Sequence, residues 1–363
     1  MINVAMITRS TLYAARGGDT VQALQTARNL LAKGIAVDVK LTSDPIDYKK
    51  YDLLHFFNIT RPADILCHIQ KSHKPFVVST ILVDYSEYDK QYRKGISGML
   101  FRLLPGDHIE YIKALSRKVL GRDELMSAGY IWKGHRRSVK EILRKATLLL
   151  PNSQSEYERL CRLYNCRTDY KVVPNGIDPV LFRVNHEIEK DPNLVICVGR
   201  IEGIKNQLNL VRSVRNSKYR LLIIGSPAHS QPEYYKACRE AAGENVSFID
   251  HLPQEALVQY YQRAKVHVLP SWFETTGLSS LEAAAMGCNI VITDKGDTKE
   301  YFGDDASYCN PACIKSIYEA IENAASLPSS QTLRSKIIQH FTWEQATQCT
   351  AEAYESVIKQ HGT

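Results

Sequence analysis

The chain has 363 residues, 44% of them hydrophobic and 23% charged, and its 46 basic and 39 acidic side chains leave a formal net charge of +7. This composition predicts a globular protein of two domains with buried cores, and the mild positive excess favours an anionic partner without identifying it. The nine cysteines show no Cys-x-x-Cys pair, no secretory leader is evident and no apolar run approaches a membrane span, so we expect a protein of the reduced cytoplasm without a disulfide framework or structural zinc.

The first part of the chain alternates strands and helices. The predicted elements are strands over 2–8, 36–41, 52–57 and 76–83 and helices over 21–33 and 61–71. The first loop lacks the Gly-x-Gly-x-x-Gly fingerprint, and its pair Gly17-Gly18 fits an ordinary tight turn about as well as a ligand-facing loop. Its place after the first strand of an α/β sheet favours a ligand a little. His55, near a strand end, either faces a cleft or packs, and a lone His more often packs.

The alternation breaks over 84–145, which predicts two or three helices inserted in the sheet. Apolar groups, Met99-Leu100-Phe101 among them, lie between many cations. The cations are Lys90, Arg93, Lys94, Arg102, Lys113, Arg117, Lys118, Arg122, Lys133, Arg136, Arg137, Lys140, Arg144 and Lys145. Two interpretations explain this stretch equally well. One is a surface for an anionic lipid-linked acceptor or the membrane interface, and the other is a helical cover with a solvated basic face. Nucleic acid is disfavoured, because no binding motif accompanies the basic residues.

The next stretch closes the first domain. Strands are predicted over 146–150 and 171–173. Between them a helix begins with Ser153 as N-cap, and Glu156 three residues later completes a capping box. Pro174-Asn175-Gly176-Ile177-Asp178 is a turn signal that leads into a polar linker to about 192. We therefore place the domain boundary in this linker, between 183 and 184.

The second half restarts the alternation. Strands are predicted over 194–198, 219–225, 246–249, 266–269 and 289–293, and helices over 207–215, 314–326, 331–340 and 343–359. Arg200 and Lys205 lie in a Gly-bearing loop at the carboxyl end of the domain's first strand, which is the place and the chemistry for a diphosphate. The alternative is a surface loop with ordinary basic residues.

Residues 271–287 form the centre of this half, a tight loop followed by a helix. Gly277 stands where the helix begins, so backbone N–H groups can approach a phosphate there. Glu274 in the loop and Glu282 in the helix are eight positions apart. The apolar run 283–286 makes the helix around Glu282 a buried one, and a buried carboxylate needs a partner. The alternative is that both acids only complement the helix dipole or face solvent.

Together these residues resemble the family-four glycosyltransferases of the GT-B fold, the glycosyl transferases group 1. The motifs that carry the resemblance are the 199–206 loop, the Glu274 and Glu282 pair, and the 174–178 turn. The resemblance implies two Rossmann-like, doubly wound parallel-sheet α/β domains that face a cleft. Residues 1–183 would form the acceptor domain, 184–342 the nucleotide-sugar donor domain, and 343–363 a helix that returns to the first domain. It also implies transfer with retention of configuration, without a metal or other cofactor.

The resemblance assigns roles to particular positions. Arg200 and Lys205 would hold the diphosphate and stabilise charge on the leaving group, and Glu274 would contact hydroxyls of the donor sugar. Glu282 would bind the ribose. The remaining donor-binding positions are Gly17, Gly18, Gly199, Phe273, Thr276, Gly277 and Leu278.

Members of this family often have a His after the fourth strand of the first domain, and this chain departs from that pattern. Residues 79–88 contain no His, and Asp84 is the candidate to take part of its place or to act on the acceptor. A retaining displacement can use the departing phosphate as base, so catalysis remains possible. The leading prediction is transfer of a sugar to a glycan or lipid-linked glycan in cell-surface polysaccharide synthesis, at the inner face of the membrane. The alternatives are a nucleotide-sugar epimerase or hydrolase on the same fold and a non-catalytic partner subunit.

Overall fold

The computed structural model describes residues 2–15, 17–92, 101–102, 104–119 and 127–361. The chain divides into two compact units. The first comprises Met1–Val83, Lys94–Asn175 and Trp343–Thr363, and the second comprises Asp84–Arg93 and Gly176–Thr342. Each unit is built on one parallel sheet, as the sequence predicts.

The first unit has five strands and six α-helices in its described part. The strands are β1 (Asn3–Thr8), β2 (Ala36–Leu41), β3 (Leu53–Phe57), β4 (Phe76–Ser79) and β5 (Leu148–Leu150). The helices are α1 (Gly18–Ala32), α2 (Pro62–Ser72), α3 (Gly106–Val119), α4 (Ala128–Lys145), α5 (Gln154–Tyr164) and α13 (Trp343–His361). The sheet order is β2-β1-β3-β4-β5, and all pairs are parallel. Strands β3 and β4 are buried along their whole length, as expected when helices cover both faces.

Two predicted strands of this unit are wrong in extent. The strand predicted over 76–83 ends at Ser79, because the next residues turn to reach a buried carboxylate. Thr80 Oγ1 and the Leu82 amide donate to Glu156 Oε1 at 2.5 and 2.7 Å. The strand predicted over 171–173 is reduced to one bridge between Tyr170 and Leu149.

The first part of the capping-box prediction for α5, the bond to the Ser153 side chain, is confirmed. Ser153 Oγ accepts a hydrogen bond from the Glu156 amide at 3.0 Å. The Glu156 carboxylate accepts from the amide of Asn152 at 2.8 Å. It also joins α5 to the end of β4, so this side chain has a wider structural role than a helix cap.

His55 packs inside the first unit. Its Nδ1 lies 2.7 Å from the Tyr354 hydroxyl of α13, and its Nε2 lies 2.8 Å from Ser79 Oγ. Burial lowers the pKa of His55 to about 3, so the ring is neutral. The residue therefore anchors the last helix to the sheet.

The second unit has six strands and seven α-helices in its described part. The strands are β6 (Asp191–Val198), β7 (Arg220–Ile224), β8 (Val246–Ile249), β9 (Ala264–Leu269), β10 (Asn289–Thr293) and β11 (Ser307–Cys309). The helices are α6 (Gln207–Val214), α7 (Pro232–Ala241), α8 (Gln254–Arg263), α9 (Leu278–Ala285), α10 (Thr298–Phe302), α11 (Ile314–Ser326) and α12 (Gln331–His340). The sequence interpretation did not include α7, α8, α10 or β11.

The order of this sheet is β11-β10-β9-β6-β7-β8. Strands β7 and β8 follow on one side of β6 and strands β9 to β11 on the other, so the topology switches between the parallel neighbours β6 and β9. In doubly wound sheets ligands bind outside the carboxyl ends of the strands at such a switch point. The two loops that the sequence singles out, after β6 and after β9, leave the sheet there.

The main segment of the second unit begins at Gly176, earlier than the predicted boundary between 183 and 184. The physical reason is that the predicted polar linker contributes core residues. Ile177 and Phe182 are each 1% exposed and pack in the hydrophobic core of the second unit. The Ile177 amide also donates to the Phe341 carbonyl at 2.9 Å.

No helix in the described ranges combines the length and the apolar character needed to cross a bilayer.

Candidate functional site

The loop after β6 is tied to the loop after β9 by Asn206. This residue adopts a left-handed conformation (φ 60°) at the start of α6. Its side-chain amide donates to the Pro270 and Pro311 carbonyls at 3.1 and 2.8 Å. The Trp272 amide donates to the Ile204 carbonyl at 2.8 Å. These bonds hold the two loops side by side.

The two loops bring Lys205 and Glu274 into contact. Lys205 Nζ lies 2.5 Å from Glu274 Oε1, and Ser271 Oγ donates to the same oxygen at 2.6 Å. The Lys205 side chain is 25% exposed and that of Glu274 only 7%. No described residue donates a hydrogen bond to Glu274 Oε2. The site therefore presents a partly exposed ammonium beside a carboxylate with one oxygen available.

The backbone of Glu274 is held by a neighbouring loop. The Glu274 amide donates to the Lys295 carbonyl at 3.1 Å, and the Asp297 amide donates to the Glu274 carbonyl at 2.9 Å. Gly296 between them has φ 102°, and a Cβ there would lie 2.0 Å from the Glu274 carbonyl oxygen. Glycine is therefore required at 296. The signal in the sequence is a single Gly after β10, to which the interpretation attached no role.

Gly277 occupies the N-cap of α9 in a left-handed conformation (φ 74°). A Cβ there would lie 3.0 Å from Ile292 Cδ1, so the helix start packs closely on the sheet. Leu278 is the first helical residue, as the predicted helix start requires. Thr276, predicted to bind the donor, is buried, and its Oγ1 bonds the Tyr301 hydroxyl at 3.3 Å. Phe273 is half-buried in the loop before them.

Glu282 is 7% exposed, so the alternative of a solvated surface residue is wrong. Its Oε1 accepts a hydrogen bond from Gln254 Nε2 at 2.6 Å, and its Oε2 accepts from the Tyr261 hydroxyl at 3.0 Å. Burial raises the pKa of Glu282 to about 7, while the two hydrogen bonds act in the opposite direction. Neither partner was visible in the sequence, because both lie on the unpredicted helix α8.

Arg200 differs from Lys205 in its surroundings. Its side chain is 43% exposed, and its Nη2 donates to Glu202 Oε1 at 3.1 Å. The side-chain amide of Gln207 donates to the Arg200 carbonyl at 2.9 Å and so fixes the backbone of the loop. At Gly199 the amide donates to the Ile224 carbonyl at 3.0 Å.

The segment Asp84–Arg93 belongs to the second unit and contacts the loop after β6 and the loop after β10. Glu87 forms an ion pair with Lys295, the residue whose carbonyl holds Glu274. Tyr88 packs on Gly203 so closely that a Cβ at 203 would lie 1.7 Å from the Tyr88 hydroxyl oxygen. Asp84, the candidate base, accepts a hydrogen bond from the Ser86 amide at 2.8 Å through Oδ1. The sequence carried no signal for these contacts.

Gly17 and Gly18 lie in the first unit, at the start of α1. Gly17 is extended (φ −150°), a conformation open to any residue. The preceding loop is organised by Arg9, which forms a two-point ion pair with Asp19 at 2.6 and 3.1 Å and donates to the Ala15 carbonyl at 2.6 Å. The sequence interpretation missed Arg9.

The basic insertion is described only in part. Its predicted residues Arg93, Lys94, Met99, Leu100 and Arg122 lie outside the described residues. In α3 and α4 several cations pair with acids of the same two helices, namely Lys113 with Glu110, Lys133 and Lys145 with Glu141, and Arg136 with Asp107. Trp132 on α4 is 87% exposed.

The described ranges contain no group of three His, Cys, Asp or Glu side chains arranged to hold a metal ion.

Comparison with known proteins finds a family match in the second unit. Residues 181–340 match the family model described as glycosyl transferases group 1. A D-inositol 3-phosphate glycosyltransferase of Nocardia farcinica is 31% identical over 189 residues, which are 46% of this chain and 42% of that protein. The match thus spans less than half the length of that relative.

Two solved structures share the fold over almost the whole chain. Sucrose-phosphate synthase from Thermosynechococcus elongatus superposes with a TM-score of 0.77 at 17% identity, covering 99% of this chain and all of that one. HepE of Anabaena, solved in complex with UDP and glucose, superposes with a TM-score of 0.72 at 15% identity, covering 98% and 100%. The predicted fold class is therefore confirmed as GT-B.

Proposed function

We propose that this chain, whose residues 181–340 match the family model described as glycosyl transferases group 1, transfers a sugar from a nucleotide-sugar donor to a glycan or lipid-linked glycan. The observation that carries the proposal is the contact of Lys205 with Glu274 at the switch point of the second sheet. This pair combines a cation for a diphosphate with a carboxylate for a sugar hydroxyl in one place.

Lys205 is the electrostatic group of the reaction. An ammonium has three N–H donors, and its bond to Glu274 uses one of them. The other two remain for the donor's phosphates, on which negative charge develops as the sugar departs. Arg200, on the same loop and 43% exposed, supplies a second cation for the diphosphate. Backbone N–H groups at Gly277 and Leu278 complete this phosphate site.

Glu274 is the sugar-binding group. Its Oε1 is occupied by Lys205 and Ser271, and its Oε2 accepts nothing from the described residues. A hydroxyl of the donor sugar donates to Oε2 in the complex, while Oε1 keeps the lysine ammonium in place. Glu282 binds the ribose of the same donor.

Transfer proceeds with retention and without a metal, with the departing phosphate taking the acceptor's proton. Asp84 in the Asp84–Arg93 segment is the candidate to orient the acceptor. Hydrolysis and epimerisation of the donor are the alternative reactions, and the experiment below separates them from transfer.

The acceptor is a glycan or a lipid-linked glycan of the cell surface, and the protein works in the cytoplasm at the inner membrane face. Two features support this. The nine cysteines are all free thiols, as in a reducing compartment. The exposed Trp132 lies on a basic helix, a combination that suits an anionic membrane surface.

The first experiment is thermal-shift screening against UDP, GDP and ADP and then against their sugars. One nucleoside diphosphate should raise the melting temperature through preferential binding to the folded state. UDP is the first probe, because HepE binds it. Turnover with the matching sugar should then require an acceptor. Release of free sugar without acceptor would show a hydrolase, and the absence of any shift would overturn the proposal.

A further inference from the structure

Helix α8 carries two hydrogen-bond donors to the ribose-binding carboxylate. Gln254 is its first residue, and Tyr261 follows seven positions later, two helical turns on, so the two residues share one face of the helix. Gln254 Nε2 donates to Glu282 Oε1 at 2.6 Å, and the Tyr261 hydroxyl donates to Glu282 Oε2 at 3.0 Å. Each carboxylate oxygen therefore has its own partner.

The two partners hold Glu282 from opposite sides. Tyr261 is fully buried and approaches from the core of the unit. Gln254 is half-buried, and its bond to Oε1 is partly exposed. Each carboxylate oxygen has two lone pairs, so Oε1 can accept a hydroxyl while Gln254 stays in place.

We propose that Gln254 and Tyr261 are positioning residues of the donor site, which hold Glu282 in the orientation and the ionised state that ribose hydroxyls require. The inference rests on the proposed function, in which Glu282 binds the ribose. Both partners donate, and hydrogen bonds donated to a carboxylate favour its charged form. Both are uncharged, so α8 orients the carboxylate without adding a cation.

The surroundings of Glu282 explain why such help is needed. Burial raises its pKa to about 7, and the bonds from Gln254 and Tyr261 are what lower it. Behind Tyr261 lies His267, with ring centroids 6.0 Å apart, and burial lowers the pKa of His267 to about 3, so it is neutral. Cys288 faces the same tyrosine, and burial raises its pKa, so it too is neutral.

On the core side of Tyr261 lies Lys190, whose ammonium donates to the Tyr261 carbonyl at 3.0 Å. The carbonyls of Gln262 and Ala264 accept from the same ammonium at 3.3 and 3.0 Å. The Lys190 ammonium thus contacts backbone oxygens and, at 3.7 Å, Cys288 Sγ, whereas the Tyr261 hydroxyl is the core-side group that donates to Glu282.

The decisive variant is Tyr261→Phe. The ligand is the nucleoside diphosphate that raises the melting temperature of the wild type, and its affinity is measured by calorimetry between pH 6 and 9. In the wild type the affinity should rise with pH through about 7 and then level off, because ribose hydroxyls donate to the ionised form. Without the hydroxyl the pKa of Glu282 rises further. A rise of one pKa unit would weaken binding about tenfold at pH 6 and leave it near normal at pH 9.

The matched control is Tyr260→Phe, one position earlier on α8, where the hydroxyl has no hydrogen-bond partner among the described residues. Its pH profile should follow the wild type, and the titration of the nucleotide's own phosphate is common to all three proteins. Gln254→Ala should raise KM for the donor and leave kcat unchanged, because it removes binding that ground and transition states share. Gln259→Ala, on the exposed side of α8, is its control.

A loss of affinity or melting temperature in Tyr261→Phe with an unchanged pH midpoint would overturn the inference, since a merely structural tyrosine has that effect. A fall in kcat rather than a rise in KM for Gln254→Ala would also overturn it. If the wild type binds no nucleoside diphosphate, the proposed function fails first and this inference fails with it. The two failures are thereby distinguished.

Discussion

Each unit contains a buried carboxylate near the carboxyl end of its sheet, and the two are used in opposite ways. Glu156 in the first unit is fully buried and accepts hydrogen bonds from Thr80 Oγ1, the Leu82 amide and the Asn152 amide. The bonds employ both oxygens and join three segments of the chain. Glu156 is therefore a structural group.

Glu274 in the second unit is nearly as buried, but its bonds are concentrated on one oxygen. Lys205 and Ser271 both contact Oε1. A cation takes the place that backbone amides occupy at Glu156, and Oε2 is left for a ligand. Burial alone therefore does not identify a functional carboxylate, and what separates Glu274 from Glu156 is an oxygen that accepts no hydrogen bond from the described residues.

Removing the cation beside Glu274 is the most direct test of the difference between the two carboxylates. Lys205→Ala should lower kcat/KM at least a hundredfold, a loss of about 3 kcal/mol of transition-state stabilisation. Glu274→Ala should have a similar effect on turnover. Steady-state kinetics with the identified donor measures both.

Lys236→Ala is the control for this pair, because Lys236 is an exposed lysine on α7 whose contact with Glu240 is 4.0 Å long. It should leave turnover unchanged. Near-normal turnover in both Lys205→Ala and Glu274→Ala would remove the mechanism proposed above.

The structural carboxylate should respond in stability instead. Glu156→Ala leaves buried donors without acceptors, and we expect the free energy of unfolding to fall by about 3 kcal/mol. Denaturant unfolding followed by circular dichroism measures this. The folded fraction should keep the wild-type rate per active site.

Glu158→Ala on the same helix is the control, because that side chain is exposed. Its stability should stay close to that of the wild type. Should Glu156→Ala fold normally but lose turnover, the assignment of a purely structural role would be wrong.

Glu282 is a third buried carboxylate, and because its partners are uncharged we expect its ionisation to make the free energy of unfolding depend on pH. Its pKa rises on folding from an ordinary value of 4.5 to about 7, so the folded protein binds more protons than the unfolded chain between these values. The free energy of unfolding therefore decreases as pH rises from about 4.5 to 7, by about 3 kcal/mol from this group alone.

Glu282→Gln removes that titration. Relative to the wild type, the variant should become progressively more stable as pH rises through this window, and the difference should be constant above it. Denaturant unfolding at several pH values measures the effect. A difference that does not vary with pH would show that Glu282 ionises as readily in the folded protein as in the unfolded chain.

Local patterns in the sequence predicted much of this site. Strands β2, β8 and β10 have the predicted bounds, because apolar residues recur along each of them between loop residues. The loop containing Lys205 and the helix containing Glu282 were placed by motif spacing. These features depend on residues close together in the chain, which is the information that periodicity and turn residues carry.

The partners in the site could not be predicted in the same way. Glu282 is held by residues 28 and 21 positions earlier, and Lys295 pairs with Glu87 across 208 positions. Helix α8 was missed, although it supplies both donors to Glu282. Such contacts follow from the strand order, which a single sequence does not display.

The smallest expected effect concerns the Glu87 and Lys295 ion pair, which connects the Asp84–Arg93 segment to the loop that holds Glu274. Both side chains are about a third exposed, so the pair contributes under about 1 kcal/mol. Glu87→Lys and Lys295→Glu should each lower turnover less than about fivefold. The double reversal should restore the rate, because it re-forms the pair with opposite signs. Lys299→Glu, at an exposed site, is the control. A double variant no better than either single one would mean that this segment does not help to keep Glu274 Oε2 in place for the donor sugar.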